Sequence, residues 1–175
     1  MTKVAEYNTL ADAVRDTAGI ETVDIRIPFE WRCAMKVNDY IRKINYYETD
    51  KMGITHHSNY VRFMEEARVD FLEQIGCGYE KWEKDGIVSP VIGIECEYKR
   101  TTTFGDEIRI QVAIAEYKRI QLSVSYTMIN TRTEQIVCIG KSHHCFVNRE
   151  GKPIALSRSY PEYDELLKLH SSADE

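Results

Sequence analysis

Between Tyr46 and Tyr60 the chain sets a carboxylate, Asp50, and an imidazole, His57, on either side of a glycine, Gly53. An aspartate is a base or a nucleophile toward an electrophilic carbon. A histidine carries protons or donates hydrogen bonds near neutral pH. The run Ser58-Asn59-Tyr60 opens a pattern of helical period, so its backbone N–H groups belong to a helix N-terminus. Such groups lack partners within the helix and lie at its positive end. A carbonyl between Asp50 and that terminus would meet a base or nucleophile at carbon and hydrogen-bond donors at oxygen.

Each of these residues also has an ordinary structural use. Asp50 would cap a turn, and Asn59 would cap the helix. Tyr46 and Tyr60 are of a type that packs in cores and interfaces. His56 and His57 would serve as surface loop residues. Adjacent histidines do not easily face one ion, and no third ligand stands at suitable spacing, so no metal site is expected. Glu65 and Glu66 are a second source of carboxylate, although helical spacing lets them pair with Arg62 and Arg68. On spacing alone these alternatives stay open.

The elements that position these residues follow from periodicity. Residues 39–48 read as a strand; extended as far as Asp50, it puts Tyr46 and Asp50 on one face. Gly53 marks the turn. Tyr60, Phe63, Met64, Ala67, Phe71 and Ile75 recur at helical spacing, predicting a helix over 58–74 that Gly76 and Gly78 end. A short helical turn is expected over 79–84. Period-two alternation follows at Ile92–Tyr98, Ile108–Ile114, Ile120–Met128 and Ile136–Val147, with a C-terminal helix over 161–169 and a fraying acidic tail. Strand, long helix and four antiparallel strands make an α+β domain whose helix lies across the apolar face of the sheet. Residues 35–175 form that single domain. Residues 1–34 are expected to be an extension outside it, with a short helix and an edge strand as the alternative.

The chain has 175 residues, a hydrophobic fraction of 43% and a net charge of −5. Those values fit one globular domain and argue against a general nucleic-acid binder. No apolar run approaches a membrane span, and the start lacks a secretory core. Five cysteines at irregular spacing fit neither a disulfide framework nor a zinc site, so a cytoplasmic location is expected.

The residues Tyr46, Thr49-Asp50, Gly53, His57-x-Asn59-Tyr60 and Glu66-Ala67-Arg68, with Phe104-Gly105-Asp106 opening a later strand, resemble the hotdog fold. The closer resemblance is to the 4-hydroxybenzoyl-CoA thioesterase-like branch of acyl-CoA thioesterases, over roughly 39–148. It implies that Asp50 acts on a thioester carbonyl carbon as nucleophile or as base for water. Amides around Ser58 to Tyr60 would polarise the oxygen, with His57 and Tyr46 in the same pocket. It further implies a homodimer or homotetramer joined edge to edge, acyl-CoA at the subunit interface and no cofactor. Glu48 stands where some relatives carry a second acid.

Two other readings share this frame. A hotdog enoyl-CoA hydratase or dehydratase would need an acid–base pair acting at two carbons. A non-catalytic acyl-CoA-binding protein would hold the same ligand without turnover. For the CoA phosphates, Lys99-Arg100, Lys118-Arg119 and Lys141-x-His143 are the candidate cations.

Overall fold

The computed structural model describes residues 37–171, so the expectations for residues 1–34 and for the acidic tail lie outside the described residues. Strand β1 (Tyr40–Lys43) is followed by a 3-10 turn (Tyr46–Glu48), helix α1 (Asn59–Gln74) and helix α2 (Tyr79–Asp85). Then come β2 (Val91–Tyr98), β3 (Glu107–Lys118), β4 (Gln121–Asn130) and β5 (Gln135–Cys145). Helices α3 (Leu156–Ser159) and α4 (Pro161–His170) complete the chain.

The five strands form one antiparallel sheet in the order β1-β3-β4-β5-β2. Alternation sends Ile108, Ile110, Ile114, Leu122, Val124, Tyr126 and Met128 inward. There they meet the apolar stripe of α1, made by Tyr60, Phe63, Met64, Ala67 and Phe71. Gly140 on β5 lets this approach be close: a Cβ there would lie 2.5 Å from Met64 Cε. Trp82, Phe146, Tyr163 and Leu167 close the far end of the core, all fully buried. Gly76 and Gly86 follow α1 and α2 at φ 79° and 85°, the left-handed conformation that lets a helix stop.

Two features differ from the expectation. The first strand does not run to Asp50. It ends at Lys43, and the 3-10 turn follows because the Glu48 carboxylate folds back. Its Oε2 accepts the Asn45 N–H at 2.7 Å, and its Oε1 pairs with Arg42. That turn inverts the alternation, so Glu48 is buried while Tyr46 is 76% exposed. Second, β2 is an outer strand, and its apolar residues are only partly covered. Ile94 and Tyr98, on the face that α1 packs against, are 41% and 49% exposed.

A polar cluster lies inside the core. Arg68 of α1, 6% exposed, places Nη1 2.6 Å from His144 Nε2, and Ser142 Oγ lies 2.7 Å from the same nitrogen. Burial, and then the Arg68 cation, push the His144 pKa down to about 4. The folded protein therefore keeps this ring neutral where an unfolded chain would protonate it near 6.5. Stability should be unaffected by His144 above that value and fall as pH drops from about 6.5 toward 4, by up to about 3 kcal/mol. Denaturant titrations at pH 7.5 and pH 4.5 check the slope; equal stability at both would exclude a depressed His144.

Candidate active site

Asp50 ends the segment that follows the 3-10 turn, and its turn closes on Gly53, at φ 76°. The Gly53 N–H donates to Asp50 C=O at 2.9 Å, and the Asp50 N–H donates to Ile54 C=O at 2.9 Å. One carboxylate oxygen, Oδ1, accepts the Met52 N–H at 2.7 Å. The capping role is thus real, but it uses one oxygen. Among the described residues, Asp50 makes no ion pair, and its half-buried side chain lines a cleft of about 260 Å³. Ile54, Thr55, His57, Tyr60 and Tyr98 line the same cleft, with Lys99, Arg100 and Thr101.

The turn and the start of α1 are held together by Glu48. Its backbone carbonyl accepts Asn59 Nδ2 at 2.8 Å and the His56 N–H at 2.8 Å. Below it, Arg42 pairs with Glu48, donates to Glu66 Oε2 at 2.8 Å and lies 3.7 Å over the Phe63 ring. The cleft floor is a chain of buried hydroxyls: Thr55 Oγ1 lies 2.6 Å from Thr102 Oγ1, which lies 3.0 Å from Tyr60 Oη. Burial raises the Tyr60 pKa, so this phenol stays protonated. Tyr98 forms one wall. Its Oη donates to the His57 carbonyl at 3.2 Å, and its ring stands edge-on to Tyr60 at 5.3 Å.

The amides at the helix start are more committed than the spacing suggests. The Asn59 N–H donates to His56 C=O at 3.0 Å, and the Tyr60 N–H to His57 C=O at 3.3 Å. Ser58, in the N-cap position without a capping bond, gives its N–H to His56 Nδ1 at 3.3 Å. Among the described residues, the His57 N–H has no protein acceptor, which makes it the available donor beside the cleft.

Of the candidates read from sequence, the structure gathers Asp50, His57 and Tyr60 at one cleft. Asn59 braces it from behind, and Gly53 shapes its turn. Tyr46 stands elsewhere in the single chain: it is exposed and packs edge-on against Phe104, with ring centroids 5.7 Å apart. Glu48 and Glu66 are both engaged by Arg42. Glu65 and Glu66 line a separate groove on the outer side of α1, with Tyr40, Asp70 and Glu73. The expected pairing of Arg68 with a helix glutamate is replaced by His144. Tyr98, Thr55 and Thr102 were not singled out by sequence; Tyr98 and Thr55 line the cleft and Thr102 supports Thr55 and Tyr60 from beneath, through pairings with distant residues that no local spacing encodes.

A long helix wrapped by an antiparallel sheet, with an acidic turn facing its N-terminus, defines a hotdog-fold domain of the thioesterase type. The model of the thioesterase-like superfamily matches residues 44–166, and the chain belongs to that family. YneP of Bacillus subtilis, named as a candidate acyl-CoA thioesterase, is 31% identical over 121 residues, 69% of this chain and 88% of that protein. A DHNA-CoA thioesterase from Staphylococcus aureus superposes with a TM-score of 0.72 at 28% identity, covering 75% of this chain and 88% of the other. A hypothetical protein from Aquifex aeolicus gives 0.68 at 32% identity, covering 74% and 98%.

Proposed function

We infer that the chain hydrolyses acyl-CoA thioesters to a carboxylic acid and free CoA. The observation that carries this is the cleft shared by a half-buried Asp50, free of any ion pair among the described residues, and the His57 segment at the start of α1. With the thioester carbon over Asp50 Oδ2, the carbonyl oxygen turns toward the His57 N–H and the positive end of a sixteen-residue helix. Asp50 adds to the carbon, or takes the proton of a water that adds. The tetrahedral oxyanion is held by the helix end, the C–S bond breaks, and the thiolate leaves with a proton; where Asp50 itself has added, the acyl group stays on it as a mixed anhydride, which a water then cleaves to the acid and the free carboxylate. The His57 ring, exposed at the cleft, stands where it would supply that proton. A thiol-release screen over aromatic, short and long acyl-CoAs tests the reading. Crotonyl-CoA consumed by hydration, with no thiol released, would instead identify a hydratase, and CoA binding without any turnover a binding protein.

The working unit in this reading is a homodimer or a homotetramer, with subunits joined through β2. That strand is eight residues long, has no strand partner on its outer edge among the described residues, and carries exposed Val91, Ile92, Ile94 and Tyr98. Such an edge invites pairing with a second copy. Ile94→Glu should shift sedimentation from dimer to monomer and lower activity; a dimer that persists at wild-type strength would exclude this edge. We place the protein in the cytoplasm. The four described cysteines are free thiols, and no described helix is long and apolar enough to cross a membrane.

A further inference from the structure

We propose that Arg100, assisted by Lys99, is the anion clamp that makes the cleft selective for nucleotide-bearing CoA thioesters. This rests on the thioesterase reading and assigns the CoA phosphates to named side chains. The cleft is graded from end to end. Thr55 and Tyr60 are buried at its floor and Asp50 is half-buried, while Lys99, Arg100 and Thr101 are exposed at its rim. A thioester placed at Asp50 leads its pantetheine arm outward, and the first fixed cations on the lining are these two.

Commitments elsewhere separate Arg100 from the other cations. Lys141 sits in a groove on the opposite face of the sheet, among Glu95 and Glu97. His143 lies 3.0 Å from Glu95 and 2.9 Å from Ser123. Lys118 pairs with Glu116 at 2.6 Å, and with Arg119 it lies at the far end of β3, roughly 35 Å of strand from the loop that braces the Asp50 turn. Lys99 is paired with Glu97. Among the described residues, the Arg100 guanidinium makes neither an ion pair nor a hydrogen bond.

Its backbone, by contrast, is fixed. The N–H groups of Lys99 and Arg100 both donate to Val137 C=O, at 2.8 and 3.1 Å. The result is a permanently charged, planar donor fork on an anchored strand end, which suits a phosphate better than an ammonium does.

The test compares two thioesters of one acyl group: the CoA thioester and the N-acetylcysteamine thioester, which lacks the nucleotide and its phosphates. CoA binding by calorimetry runs beside it. Arg100→Glu should raise KM for the CoA thioester and weaken CoA binding, each by about tenfold or more. The N-acetylcysteamine thioester should keep kcat/KM within about twofold. Lys141→Glu, the same charge change on the far face, should alter neither ratio. Added salt should raise KM only for the CoA thioester, and less so in Arg100→Glu.

Equal losses on both thioesters, or unchanged CoA binding in Arg100→Glu, would overturn the assignment. If wild-type protein hydrolyses neither thioester yet binds CoA, and Arg100→Glu loses that binding, the hydrolase reading fails while the clamp stands.

Discussion

Asp50→Asn should lose about a thousandfold or more in kcat, and Asp50→Ala at least as much, with both proteins folded. That loss corresponds to about 4 kcal/mol of transition-state stabilisation, within the range for removing a positioned base. The pair of variants separates chemistry from architecture. Asparagine keeps an oxygen to accept the Met52 N–H, so the turn through Gly53 is preserved. Alanine leaves that exposed N–H to water. If the carboxylate serves only the turn, asparagine will be nearly normal and alanine unstable. If it serves the reaction, both will be inactive and thermally similar to wild type. Single-turnover hydrolysis in ¹⁸O-water, read by peptide mass, then tests for the nucleophilic role: water that opens an acyl–Asp50 anhydride at the aspartyl carbonyl leaves label in the Asp50 carboxyl group, whereas a general base leaves none there.

Arg42→Met should be the most destabilising of the site-proximal changes, by about 3–4 kcal/mol, or roughly 10 °C in Tm for a domain of this size. Glu48 is 4% exposed, and without Arg42 its carboxylate keeps only the Asn45 N–H. An unpaired buried charge of this kind is costly, whereas replacing both partners by apolar groups is much less so. Arg42→Met/Glu48→Leu should therefore recover stability relative to Arg42→Met alone. Activity should stay low in both. The Glu48 carbonyl tethers Asn59 and the His56 N–H, and it does so only while the 3-10 turn holds its shape. Additive destabilisation in the double variant would show that the two side chains act independently.

Much of the fold was legible because it is local. The helix from Asn59 follows its apolar spacing to within a residue, and the strands of the sheet follow their alternation. The candidate site was legible where it is also local, at Asp50, Gly53 and His57. It failed where a distant partner overrode the local period. Tyr46 alternates with Asp50 on paper, but Arg42 draws Glu48 inward and turns the backbone, which leaves Tyr46 against Phe104. The same holds for Arg68, whose helical neighbours predict a glutamate and whose actual partner lies 76 residues on, at His144. Tyr98 was read as one apolar residue on a strand; its contact with the His57 carbonyl exists only once β2 has come to lie beside α1.

Tyr98 belongs at once to the outermost strand and to the wall of the cleft, where it holds the His57 carbonyl and shields Tyr60. A second copy added to that edge, open among the described residues, would therefore be mechanically continuous with the candidate catalytic loop. In the proposed β2-edge dimer, turnover per subunit becomes a readout of self-association: dilution alone would quieten the enzyme, and crowding alone would restore it.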